Sequence, residues 1–163
     1  MEDKDRTPQS LVLETPRIEE QLLPSALIWV VDDEKVVGDI AERSLRVIGK
    51  YRNVSYFPDS EQALARFNES VGENKTPDLI ISDFSMPGLN GGQMLEKIKE
   101  IADSSESIRC PAFLLMSGDP SVIKPETLKE LGIPEVISKP FNIREFSAIV
   151  RQRIEQHFEE FRG

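Results

Sequence analysis

Five short apolar runs punctuate the chain between Ala26 and Ser138: ALIWVV, VSYF, DLIIS, AFLLM and EVIS. Each has the length of a buried strand, and each is followed by residues whose apolar members recur at helical spacing. Val37, Ile40, Ala41, Leu45 and Ile48 follow the first run, and Ala63, Leu64, Phe67 and Val71 the second. Met94, Leu95, Ile98, Ile101 and Ala102 follow the third. Asp59 and Gln62 have the spacing of a capping box at the second helix. A shorter helix is predicted from Pro125, carrying Leu128 and Leu131. The last runs from Asn142 through Ile143, Phe146, Val150 and Ile154 towards Phe161. Strict strand–helix alternation predicts an α/β fold with a parallel sheet covered by helices on both faces. In such sheets the functional crevice lies beyond the carboxyl ends of the strands, where strand order reverses.

Residues 1–25 fall outside this pattern. They are polar and charged, with Pro8, Pro16 and Pro24, and are expected to form an arm that is flexible or docked. The body is expected over 26–154, with 155–163 extending the last helix. A net charge of −9 opposes a nucleic-acid surface, which needs clustered Lys and Arg. Cys110 is the single cysteine and His157 the single histidine, so neither a disulfide framework nor a zinc site is expected. No apolar run approaches the ~20 residues of a membrane helix, and MEDKDR lacks a signal-peptide pattern, so a cytoplasmic protein is expected.

The residues just past the strands carry the chemistry. The first run ends at Asp32 and Asp33, the third at Asp83, the fourth at Ser117 and the fifth at Lys139. The second contributes no chemical group, as suits an edge strand. Two like charges 4 Å apart repel by about 4 kcal/mol at an effective dielectric of ~20. Three convergent carboxylates therefore call for generous hydration or a hard cation such as Mg²⁺. Ser117 has no nearby base to make it a nucleophile, whereas a donor, an ammonium and a cation around a carboxylate suit phosphoryl transfer. Asp83 would be the attacking carboxylate, forming an aspartyl phosphate.

These residues, with Pro140 and Phe141 after Lys139 and MPGLNG after Asp83, resemble the receiver domain of response regulators in two-component signalling. The resemblance runs from about Ala26 to Ile154. It implies a flavodoxin-like sheet of order 2-1-3-4-5, Mg²⁺ or Mn²⁺ as cofactor, and a histidine kinase or histidine phosphotransfer protein as phosphoryl donor. It further implies that Asp33, Asp83 and the main-chain carbonyl of Ser85 hold the metal, with Asp32 acting through water. Ser117 and Lys139 would bind the phosphoryl group, and Ser85 and Asp119 occupy the positions that tune its lifetime. The chain departs from the family at Val136, where an aromatic is usual three residues before the lysine.

Two other function classes compete. An aspartate-nucleophile phosphatase of the haloacid-dehalogenase type uses the same residue types. It needs a second Asp two positions after the nucleophile, where this chain has Ser85, and places its acidic pair after the lysine. A phosphorylation-independent interaction module would not need the full residue set. The expectation is a stand-alone phosphoacceptor signalling through protein contacts. Trp29 and Phe57 are expected in the core, Cys110 as a small packing residue, Lys139–Pro140 as a turn with a cis bond, and His157 on the surface. Phe158 and Phe161 outrun the sheet. They are expected to mediate a homodimer through the last helix, or to lie beneath the arm with Leu11, Val12 and Leu13.

Overall fold

The structure, a computed structural model, describes residues 23–161. A 3-10 turn over Leu23–Ser25 leads into strand β1, Leu27–Val31. Then follow α1 (Lys35–Val47), β2 (Asn53–Phe57), α2 (Ser60–Glu73), β3 (Leu79–Asp83) and α3 (Gly91–Asp103). The chain continues through β4 (Ala112–Ser117), a 3-10 turn at Pro120–Val122, α4 (Pro125–Glu130), β5 (Val136–Ser138) and α5 (Ile143–Glu160). All strand pairs are parallel and the order is β2-β1-β3-β4-β5, so the expected switch point lies between β1 and β3. The expected arm lies outside the described residues except for its last three, of which Leu23 is buried in the core.

Strand residues alternate between two apolar layers because side chains on a strand point to opposite faces. Ile28, Val30, Leu79, Ile81, Leu114 and Met116 meet Ala41 and Leu45 of α1 and Phe146, Val150 and Ile154 of α5. Trp29, Val31, Ile80, Phe113 and Leu115 meet Phe67 of α2, Met94, Leu95 and Ile98 of α3, and Leu131 after α4. Trp29 packs against Phe57 at 4.7 Å and edge-on to Phe67 at 6.2 Å, as a core aromatic should. Cys110 packs at the margin of the second layer. Among the described residues no helix is long and apolar enough to cross a membrane.

Four local expectations need correction. Helix α1 buries Gly38, Ala41, Ser44 and Leu45, while Ile40 and Ile48 face outward, because the helix sits close to the sheet on its small residues. Asp59 does cap α2 through the Gln62 amide, but the Gln62 side chain returns to the Asp59 carboxylate instead of its main chain. The reciprocal capping box is at Asn90 and Gln93, starting α3. His157 is buried, 5% exposed, against Phe161 at 4.9 Å and Phe158 at 6.1 Å. Burial and then the Arg153 charge hold its pKa down at about 4. At the end of α5 Phe158 joins the first apolar layer and so is covered within the chain, while Phe161 stays exposed with its ring under the Arg109 guanidinium at 4.6 Å.

Arginines close both flanks of the sheet. On the β2 side, Arg46 of α1 donates to the carbonyls of Arg52 (3.1 Å) and Val54 (2.6 Å). On the other side, β5 pairs with β4 only from Leu115 onward, and Arg153 of α5 donates to the Phe113 carbonyl at 3.3 Å.

Candidate functional site

Register brings the site together. Val31 pairs with Ser82, which sets Asp32 level with Asp83; Asp83 pairs with Met116 and Ser117 with Ser138, one residue before Lys139. The Lys139 amide donates to the Ser117 carbonyl at 2.8 Å, and the Lys139–Pro140 peptide is cis. The Lys139 ammonium lies 2.7 Å from Asp32 Oδ2, 3.1 Å from Asp83 Oδ1 and 3.7 Å from Glu34 Oε1. Asp32, Asp33 and Asp83 each present a carboxylate oxygen within 4.8 Å of the others. Asp32 is fully buried, Asp83 is 4% exposed and Ser117 2%, while Asp33 is exposed at the mouth.

The acids are thus neither in open water nor fully neutralised. Burial, then the Asp32 charge, raises the Asp83 pKa to about 6 against the pull of Lys139. Burial likewise raises that of Asp32 above the ordinary carboxylate value, with Lys139 and the Glu34 amide opposing. Burial works against the Lys139 charge, yet Asp32 and Asp83 outweigh it and hold its pKa above the usual value. The clustered carboxylates outnumber the single ammonium, so the cleft is formally anionic. Asp32 Oδ2 is buried, with the Lys139 ammonium beside it as its one polar neighbour among the described contacts. An all-oxygen set of three carboxylates converging within 4.8 Å fits a hard divalent cation. The cluster can hold one.

The loop after β3 is drawn tightly beneath Asp83. The Gly91 amide donates to the Phe84 carbonyl at 2.8 Å, and the Ser82 hydroxyl donates to the Asp83 carbonyl at 2.9 Å. A Cβ at position 91 would stand 2.1 Å from the Asp83 carbonyl oxygen, so only glycine fits there. Ser85 is exposed in this loop. Ser117 Oγ accepts the Asp119 amide at 3.0 Å. The Asp119 carboxylate caps the following turn, accepting from the Ser121 amide (3.2 Å) and hydroxyl (2.5 Å). Val136 is half-buried and packs against the second layer.

Two contributors are absent from the sequence reading. Glu34, the third acid of VVDDE, is the outer partner of Lys139. The second strand is not chemically silent: the Tyr56 hydroxyl donates to the Asp32 main-chain carbonyl at 2.6 Å. Burial, then the charges of Asp32, Asp39 and Asp33, keep its pKa above the usual phenol value, so it stays a donor. The available signal was a polar-tipped aromatic at the penultimate position of the second strand, near the crevice end.

A family model described as the response regulator receiver domain matches residues 28–151. The DNA-binding transcriptional regulator NtrC of Salmonella typhimurium is 29% identical over 136 residues, 82% of this chain but 26% of that protein. Among solved structures, a CheY-like receiver domain protein from Methanospirillum hungatei superposes with a TM-score of 0.66 at 20% identity, covering 83% of this chain and 98% of that one. The chemotaxis response regulator CheY4 of Vibrio cholerae gives 0.62 at 25% identity, with 80% and 98% covered.

Proposed function

Since the chain belongs to the response regulator receiver family, we propose that it is a phosphorylation-dependent signalling switch or relay in which Asp83 is the phosphoacceptor. The observation that carries this reading is the placing of Asp83: buried at a strand end, joined by Lys139 to Asp32, with Asp33 at hand. In the reaction a carboxylate oxygen of Asp83 attacks the phosphorus of a phosphohistidine. The O–P bond forms as the P–N bond breaks, and the imidazole leaves with a proton from solvent. Lys139 exchanges its contact with Asp83 Oδ1 for the oxygens of the arriving group, whose charge it offsets. Ser117 accepts one bond from Asp119 and retains its own proton to donate to the phosphoryl group.

Asp33, Asp83 and the main-chain carbonyl of Ser85 would hold Mg²⁺ or Mn²⁺, with Asp32 acting through water. When bound, the cation supplies charge neutralisation for the phosphoryl oxygens. Ser85 and Asp119, both exposed, are the residues proposed to tune how long the aspartyl phosphate survives. The donor is a histidine kinase or a histidine phosphotransfer protein, and output passes through protein contacts. A homodimer through the last helix, α5, is proposed as well, with Phe161 41% exposed at its tip.

The test is to incubate the chain with acetyl phosphate and map the modified residue by mass spectrometry. Label is expected on Asp83 alone, absent from Asp83→Ala and suppressed by chelator. Label that survives either change overturns the assignment.

A further inference from the structure

Tyr56 reaches the acidic pair from a strand that carries none of the reacting groups. Its hydroxyl donates to the Asp32 carbonyl, and its ring lies across Gly38 in the first turns of α1. A Cβ at position 38 would stand 2.2 Å from the ring's Cε2 and 2.8 Å from Cζ, so the ring occupies the space any other residue would need. Glycine is a poor helix former, and its presence inside α1 is explained by this seat. The slot and the hydroxyl act as one device.

Its consequence falls on Asp33 more than on Asp32. Asp32 is fixed independently: its amide donates to the Phe57 carbonyl at 3.1 Å, Oδ1 accepts the Glu34 amide at 2.8 Å, and Oδ2 faces Lys139. Asp33 is exposed, so packing does not hold its side chain. The peptide joining the two is planar, so fixing the Asp32 carbonyl also fixes the direction in which the Asp33 backbone sets out. We propose that Tyr56 is a positioning residue for the cation site: its hydroxyl clamps the Asp32–Asp33 peptide and thereby directs the Asp33 carboxylate towards Asp83. The inference rests on the reading of the three acids as a divalent-cation site.

The test measures Mn²⁺ binding to the unphosphorylated intact chain by calorimetry, together with metal-free thermal unfolding. The variants are Tyr56→Phe, Asp33→Asn, their combination, and Gly38→Ala. Tyr56→Phe is expected to weaken Mn²⁺ about three- to tenfold, the range one neutral hydrogen bond spans. In the Asp33→Asn background the same change is expected to cost nothing further, because the clamp acts through Asp33. Gly38→Ala, which evicts the ring, should weaken binding at least as much as Tyr56→Phe. A Tyr56 that is merely structural would lower the unfolding temperature while leaving Mn²⁺ affinity within about twofold. Equal losses in both backgrounds would equally overturn the proposal. A wild-type chain that binds no Mn²⁺ would remove the cation site and this inference with it, whereas an Asp33→Asn variant that binds like wild type would leave a site without Asp33 and overturn the inference alone.

Discussion

The ammonium of Lys139 stands 2.7 Å from Asp32 Oδ2 and 3.1 Å from Asp83 Oδ1, so one positive charge joins two buried carboxylates at the ends of neighbouring strands. Burial raises the proton affinity of both acids and the Asp32 charge raises that of Asp83 further, and the lysine only partly offsets this. The cleft is therefore held in electrostatic tension before any phosphoryl group arrives.

Removing the lysine should harm chemistry more than removing the serine. A hydrogen bond to a charged group contributes about 1.5–3 kcal/mol and a neutral one about 0.5–1.5 kcal/mol. Lys139→Ala is therefore expected to slow labelling by acetyl phosphate about ten- to a hundredfold. Ser117→Ala should slow it by no more than about tenfold. Initial rates at fixed Mg²⁺ decide this, and the reverse order would exchange the two roles.

The raised pKa of Asp83 has a stability consequence. Its folded value of about 6 lies above the unfolded value near 4, so the native state binds the extra proton and stability falls as pH rises through this window. In metal-free buffer, Asp83→Asn should be more stable than the parent at pH 7, by on the order of 1–3 kcal/mol. The difference should vanish below about pH 4 and shrink when Mg²⁺ is added. Urea unfolding at the two pH values, with and without cation, measures it.

His157 works in the opposite direction over nearly the same range. Its folded pKa of about 4 lies below the unfolded 6.5, so the unfolded state binds the extra proton. The stability it confers is complete above about pH 6.5 and is lost as pH falls towards 4. Replacing it with phenylalanine keeps an aromatic ring beside Phe161 but cannot charge. His157→Phe should therefore lose less stability than the parent between pH 7 and pH 5; identical losses would mean that His157 does not titrate in that window.

Asp119 caps its turn through Ser121 and stands two residues beyond Ser117. Asp119→Asn keeps an oxygen for the cap and removes the charge. If the carboxylate orients the attacking water, the aspartyl phosphate should persist several-fold longer at constant Mg²⁺, read from decay of the labelled protein. An unchanged half-life would leave Asp119 with the cap alone.

The sheet and its reactive rim were readable from local pattern. Alternating periods name the elements, and the residue closing each strand is adjacent in sequence to the run that defines it, so Asp32, Asp83, Ser117 and Lys139 could be found without tertiary information. What escaped depends on contacts between distant segments. Tyr56 meets Asp32 across 24 positions, and Arg153 meets Phe113 across 40. Spacing cannot show such pairs. His157 stands among charges in the sequence, but Phe161, itself under Arg109, and the neighbouring Phe158 pack against it. Ile40 and Ile48 looked inward because periodicity marks an apolar face without fixing its rotation, which the Tyr56–Gly38 contact helps determine.

Arg46 and Arg153 also bear on how copies of this chain can meet. A sheet margin with open carbonyls is a template on which a foreign strand can crystallise, the first step towards fibrils and swapped oligomers. Here the lone pairs of Arg52, Val54 and Phe113 already have guanidinium partners, and the remaining β5 margin is three residues long. Backbone-to-backbone annexation is discouraged on both sides. The side chains on the helices and loops are then the surface open to the protein contacts proposed above.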